Sequence, residues 1–221
     1  MLYTQIPSTT FKQLQLNAGI ITSSFTPGTA ALDQSSILGA TTGGISFTAT
    51  PTYTDFGEDI DNCPKNMKEL KKLESWEVKL SGTFVTVSSD LAKTLVGAAD
   101  KATGDATKVM PRNDLTADDF KDVWFVGDYS DVNTGESAGF LAIHVMNALS
   151  TGGFQLTTTD KAKGQFAFEF TGHYSMDKQD TPPFEVYVKA GTATGKAMAM
   201  DGDTPAVVSD EAVSNGKKSS K

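Results

Sequence analysis

The clearest pattern in the chain is GQFAFEFTGHYSM at 164–176, where Phe166, Phe168, Phe170, Gly172 and Tyr174 alternate with polar or small neighbours. A period of two puts one set of side chains on one face of a strand, so this segment predicts a half-buried β-strand. ISFTATPTY predicts another, with Ile45, Phe47 and Ala49 on one face until Pro51 interrupts. WEVKLSGTFVTVS predicts a third, with Trp76, Val78 and Leu80 on one face and a shift of phase after Gly82 that signals a bulge or bend. DVWFVGDYS, AGFLAIHVMNALS, FQLTTT and FEVYVKAG read as further strands. The turn signals between them, at 133–135, 151–153 and 161–164, argue for antiparallel meanders.

One segment changes period. Leu91, Ala92, Leu95, Val96 and Ala99 recur at helical spacing behind Ser89-Asp90, which predicts an amphipathic helix from about Ser89 to Asp100 packed on a sheet. Thr116-Ala117-Asp118-Asp119 has the form of a capping box that starts a single helical turn. Between the second and third strands, TDFGEDIDNCPKNMKELKKLES at 54–75 reads as a long loop whose charge changes sign midway. Its acids are Asp55, Glu58, Asp59 and Asp61, and its bases are Lys65, Lys68, Lys71 and Lys72. Met67, Leu70 and Leu73 would share one side of a short helical turn within it. A connection this long in a compact domain implies a binding loop or an arm.

The expected organisation is an N-terminal arm and first strand at 1–40, a β domain at 41–190, and a flexible C-terminal tail at 191–221. The expected fold class is mainly β, a sandwich or barrel with one flanking helix. Composition agrees: the 221 residues are 38% hydrophobic and 21% charged, with strand- and turn-forming Thr, Ser and Gly abundant.

Charge narrows the function classes. The formal net charge is −8 and Arg112 is the only arginine, whereas nucleic-acid readers cluster Arg and Lys to neutralise phosphates. Such a chain repels DNA. The single cysteine, Cys63, excludes an intramolecular disulfide. The N-terminal segment has no basic stretch leading into an apolar run, and no stretch is long enough to cross a bilayer, so neither secretion by a standard signal nor membrane embedding is expected.

Candidate chemistry is sparse. His144 and His173 lack any paired Cys/His spacing, so both read as packing or surface residues and no metal site is expected. The acids at 55–61 with Asn62 lack the glycine and closing glutamate of an EF-hand and read as a solvated loop or a subunit contact. GTATGKA at 191–197 is one residue short of a phosphate loop, and DFG at 55–57 stands without any other kinase element. Cys63 has no identifiable activating base. The expectation is no enzyme and no cofactor. A hydrolase built on the acidic cluster fails because its acids share one loop with no opposing partner.

GATTGGISFTATPTYTDFGEDIDNCPKNMKELKKLESWEVKLSGTFVTVS, preceded by FKQLQLNAGIITSSFTP, resembles the major tail (tail tube) proteins of long-tailed bacteriophages over roughly the first hundred residues; the remainder agrees in element order. The resemblance implies a β-sandwich whose copies form hexameric rings, with inner sheets joined into a barrel and rings stacked through long loops and terminal arms. It implies a virion tail protein assembled in the host cytoplasm, with partners in its own copies, a tape measure protein and tail terminator or tip proteins, and with DNA passing through unbound. The loop acids Asp55, Glu58, Asp59 and Asp61 and lysines Lys65, Lys68, Lys71 and Lys72 would then supply ring stacking. Strand acids Glu77, Glu169 and Glu185 are the candidates for a negative lumen. The rival reading is a glycan- or cell-binding β-sandwich virion or decoration protein, with Tyr129 or Tyr187 as a sugar platform.

Overall fold

The computed structural model describes residues 6–7, 9–28, 32–129 and 138–192. In chain order the strands are β1 (Gln15–Thr22), β2 (Ile37–Gly39), β3 (Thr41–Asp55), β4 (Lys71–Phe84), β5 (Ala99–Ala102), β6 (Asp105–Pro111), β7 (Lys121–Tyr129), β8 (Phe140–Ser150), β9 (Gln155–Thr157), β10 (Gln165–Gly172) and β11 (Phe184–Lys189). The helix α1 (Ser89–Val96) follows β4. Pairing is antiparallel throughout and runs β2-β1-β7-β8-β10-β4-β3, with β11 added to β8 and β9 to β10; β5 and β6 form a separate hairpin.

The path folds into two layers because β8 serves both. Its first half pairs with β7 and β11, and its last residues, Leu149 and Ser150, pair with β10. Asn147, with φ +48, marks the bend, its N–H donating to Asp122 Oδ1. One layer is therefore β2-β1-β7-β8-β11 and the other β3-β4-β10-β9. The two ends of the path, β2 and β3, do not pair, so this is a sandwich and not a closed barrel.

Period-two alternation fills the space between the layers. Ile21, Val123, Phe125, Ile143 and Val145 come from the first layer; Val78, Leu80, Phe84, Phe166, Phe168 and Phe170 come from the second. Leu91 and Leu95 of α1 join them. Ser88 caps the helix by accepting the Leu91 N–H at 3.1 Å, and Gly97 at φ +82 ends it. The helix is thus shorter than the expected Ser89–Asp100. Ala99 and Asp100 instead begin β5, since a residue in the left-handed region at Gly97 turns the chain out of the helix.

The region 1–40, expected as an arm and first strand, holds the strands β1 and β2, and β1 lies inside the sheet between β2 and β7 with Ile21 fully buried. Of the expected tail at 191–221, residues 193–221 lie outside the described residues, as does the turn signal at 133–135. The Thr116 capping box is present and opens a single 3-10 turn over Ala117–Asp119.

The sole arginine is used internally. Arg112 Nη2 donates to both Asp119 oxygens at 2.7 and 2.9 Å, and Nε lies 2.7 Å from Asp100 Oδ2. Burial pushes the Asp119 carboxyl up, but N–H and O–H donation from Thr116 and the guanidinium outweigh it and hold the carboxyl below its usual range. The cluster ties the β5-β6 hairpin to the entrance of β7. No arginine is left for phosphate.

Candidate functional site: a polar sheet face and a projecting hairpin

The segment expected as a loop at 54–75 is a loop over 56–70, and its two ends, 54–55 and 71–75, are paired strand. β3 and β4 stay paired from Thr41 opposite Phe84 out to Asp55 opposite Lys71, and only 56–70 connects them. The outer rungs, such as Tyr53 opposite Leu73 and Thr54 opposite Lys72, have no core beneath them. They carry no apolar alternation for that reason. A turn does close from Leu70 N–H to the Met67 carbonyl at 3.1 Å, but Leu73 is strand, not helix.

The tip is ordered from within. Asp55 Oδ1 accepts the Gly57 N–H and Oδ2 the Asn66 N–H, each at 2.9 Å, and these two bonds hold its carboxyl below the ordinary value. Gly57 is buried against Leu70 and Cys63: a Cβ there would lie 3.0 Å from Leu70 Cδ1. Lys71 Nζ sits 5.3 Å from the centre of the Tyr53 ring. Asp55 and Lys71 thus serve the hairpin itself, whereas Glu58, Asp59, Asp61, Lys65, Lys68 and Lys72 stand exposed around it. Lys68 pairs with its neighbour Glu69 at 3.5 Å. What the charge pattern hid is the apolar surface: Phe56 is 59% exposed and Ile60 50%, with Tyr53, Met67 and Leu73 also exposed. Their signal in the sequence was apolar residues recurring in a loop with no core to join.

The second feature is the outer face of β3, β4 and β10. Phe47 and Ala49 on β3, Val78 and Leu80 on β4, and Phe168 and Phe170 on β10 point into the sandwich. Their alternates therefore point out: Ser46, Thr48 and Thr50; Glu77, Lys79, Ser81 and Thr83; Ala167, Glu169 and Thr171. Register places Thr48 opposite Lys79, Thr50 opposite Glu77 and Glu169 opposite Ser81. Lys79 Nζ lies 2.7 Å from Glu77 Oε1, and this hydrogen bond, then the charges of Glu77 and Glu169, raise the lysine's pKa. Thr151 donates to Glu169 Oε1 at 3.1 Å, and its hydroxyl lies 2.8 Å from that of Thr171. The face is a field of hydroxyls with two carboxylates and one ammonium, and no exposed large apolar side chain interrupts it among the described residues.

Glu185 does not belong to that face. Phe184 packs inward on Trp76 and Phe47, with ring centroids 5.3 and 5.8 Å away, so Glu185 next to it points outward from the opposite layer, where it pairs with His144. The three candidate lumen acids are therefore split, Glu77 and Glu169 on one face and Glu185 on the opposite one. There, His144 stacks on Trp124 at 4.0 Å, with Nε2 3.2 Å from Asp122 Oδ2 and Nδ1 3.6 Å from Glu185 Oε2. The Tyr187 hydroxyl bonds to Glu185. Tyr129 falls on the inward alternation of Val123 and Phe125, so it does not share the outward face of Tyr187. His173 packs at the bend of β8, its Nδ1 3.2 Å from the Asn147 carbonyl and its ring edge-on to Phe120.

A cavity of about 400 Å³ opens where β1, β7 and β8 meet, lined among others by Ile20, Phe25, Val126 and Phe140, with Lys189 at its side. Among the described residues no three His, Cys, Asp or Glu side chains gather around a point where one ion could sit.

No family model matches the chain, and no curated protein matches it. Among solved structures, it is similar to a chain of the virion of a native gene transfer agent (GTA) particle, at 8% identity and a TM-score of 0.39, covering 78% of this chain and 96% of that one. It is similar also to a chain from the tail of an empty GTA particle with C6 symmetry, at 8% identity, TM-score 0.35 and the same coverage. These are loose likenesses of chain course. The functional reading rests on this chain's own residues.

Proposed function

We propose that this chain is the structural subunit of a tail tube, assembling into hexameric rings that stack into a conduit for DNA, with the outer face of β3, β4 and β10 lining the bore. The observation that carries the reading is that face: continuous strands bearing short hydroxyl side chains, two acids and one lysine, a surface that hydrates well and offers phosphate little to hold. The sequence resemblance over Gly44–Val87 supplies the tube. Open sheet edges supply a means, since β3 and β11 each leave one side unpaired among the described strands, and a ring of copies closes edges that a lone sandwich exposes.

The hairpin β3-β4 reaches beyond the sandwich toward the next ring. Glu77 and Glu169 face the lumen in this arrangement, and Glu185 faces away from it. The subunit acts without a cofactor or a reaction; its partners are its own copies, with tape measure and terminator or tip proteins by resemblance, and its place is the virion tail after assembly in the host cytoplasm. The full chain, purified at rising concentration and imaged by negative stain with its mass measured in parallel, is expected to form rings or tubes. A species that stays monomeric or trimeric at every concentration, and binds glycans, contradicts the proposal and favours the decoration-protein reading.

A further inference from the structure

β11 pairs with β8 alone among the described strands, so whatever else ties it down comes from side chains. Its outward residue Glu185 lies opposite His144 of β8, and on the other side of β8 His144 lies opposite Trp124 of β7. Asp122 Oδ2 stands 3.2 Å from the ring's Nε2, and Glu185 Oε2 stands 3.6 Å from its Nδ1. A neutral imidazole carries one N–H and an imidazolium two. Only the charged ring can donate to both acids, so its protonation state decides whether a bridge runs from β7 through β8 to β11.

The surroundings make that difference count. The His144 side chain is 13% exposed and its Nε2 is sealed from solvent, so little water can stand in for a missing N–H. Its face stacks on Trp124 at 4.0 Å and 5°, where an indole attracts a cation. Both acids are pinned by second partners. Asp122 Oδ1 accepts the Asn147 N–H, and the Tyr187 hydroxyl donates to Glu185, a bond that holds the phenol above its ordinary pKa and keeps it a donor. Among the other charged groups on these elements, Lys189 lies 5.9 Å from the centre of the Phe140 ring and Asp128 accepts the Asn17 side-chain N–H at 2.9 Å. Lys121 and Asp90 border the cleft beside Asp122, with Asp90 held by Lys101 at 2.7 Å, and His173 and Lys178 border Asn147 at the bend.

We infer that Asp122, His144 and Glu185 form a pH-sensitive latch on the edge strand β11. With the ring charged, in mildly acid solution, the latch ties β11 to β7 across β8. As pH rises through the range in which imidazole titrates, roughly pH 5–8, one N–H is lost. The shorter contact, to Asp122, keeps the remaining proton on Nε2, so Glu185 meets a lone pair at Nδ1 and the strand loosens. The stabilisation is therefore full below that range and gone above it. β11 carries an open edge with Val186 and Val188 exposed, so the latch sets how firmly that edge is held for whatever pairs with it. It works within a single copy and does not depend on the tube reading.

Amide exchange along β11, read by mass spectrometry on the full chain kept too dilute to assemble, tests the latch once the intrinsic pH dependence of exchange is removed. Wild-type protection is expected to fall about tenfold between about pH 5.5 and about pH 8, the scale of a charge-assisted hydrogen bond. His144→Gln and Glu185→Gln should each abolish that fall, and His173→Gln should keep it. In the wild type, imidazole nitrogen chemical shifts should show both His144 nitrogens protonated at the acid end and Nε2 alone at the alkaline end, a readout that needs no variant to fold. Protection of β11 that stays constant across this range, a fall that persists in Glu185→Gln, or a neutral ring protonated at Nδ1 overturns the latch. Each of these outcomes leaves the tube reading standing, because that reading is decided by assembly.

Discussion

If the β3-β4-β10 face is the wall of a conduit, its charge controls whether DNA slides or sticks. In each copy that face carries Glu77 and Glu169 against Lys79, an excess of one negative charge. The double substitution Glu77→Lys and Glu169→Lys leaves three ammonium groups and no carboxylate on the same strands. Both positions are outward and the Glu77–Lys79 pair is solvent-exposed, Glu77 at 60% and Lys79 at 41%, so the fold is expected to survive. The effect on DNA is much larger. Each phosphate neutralised releases counterions and steepens the dependence of log K on log salt by about 0.9, so a copy whose three lysines all reach phosphate adds roughly 2.7 to the slope. Rings multiply this. Assembled tubes would be incubated with short duplexes at low and raised salt, treated with nuclease, and assayed for protected DNA. Wild-type tubes should protect little, and variant tubes should protect DNA at low salt and release it steeply as salt rises. Glu185→Lys, on the opposite layer, should leave nuclease protection unchanged. Variant tubes that protect no more DNA than wild type, or Glu185→Lys tubes that protect as much as the double variant, would refute the assignment of the bore.

Other outcomes follow from the packing. Phe170→Ala removes a side chain 1% exposed at the centre of the core and should cost roughly 3–5 kcal/mol in urea unfolding. Phe56→Ala, at the exposed tip, should stay within about 0.5 kcal/mol of wild type, and equal losses for the two would contradict the division between core and contact surface. Gly44 has φ +87 with nothing within 4 Å of an added Cβ, so Gly44→Ala should cost about 1–2 kcal/mol from the backbone alone; an unchanged midpoint would show that the bulge in β3 is not fixed. Asp55 is held below its ordinary value of 3.8 by the Gly57 and Asn66 N–H groups, so its stabilisation of the tip is present above about pH 4 and is lost as pH falls through the folded value. Asp55→Ala at neutral pH should remove the hydrogen-exchange protection of those two amides, as acid does in wild type; retained protection would show that the loop is ordered by something else.

The core was legible because strands with one buried face write their register into the sequence. Phe166, Phe168 and Phe170 were read as one face and are buried together, and the same holds for Val78 and Leu80. The helical period shows the start of α1, although the cap is Ser88, one residue before the expected Ser89, and the stop at Gly97 was passed over because Ala99 keeps the helical spacing. The ends of the hairpin at 54–55 and 71–75 were read as loop because their rungs have no core against them and so no apolar alternation. The polar hairpin β5-β6 was missed because Ala99 is its one buried residue and leaves no alternation to read. Face assignment was out of reach for the acids. Glu77, Glu169 and Glu185 look alike along the chain, and only the crossing of β8 from one layer to the other separates the first two from the third.

The central claim, that copies of this sandwich form a tube with the hydroxyl-rich sheet inward, is tested most directly by electron cryomicroscopy of the assembled full-length chain at a resolution that traces strands. A hollow tube is expected, with Thr48, Lys79 and Glu169 on its inner wall and the β3-β4 hairpin spanning to the adjacent ring. A tube whose bore is lined by Trp124, His144 and Tyr187, or particles without any axial repeat, would contradict it.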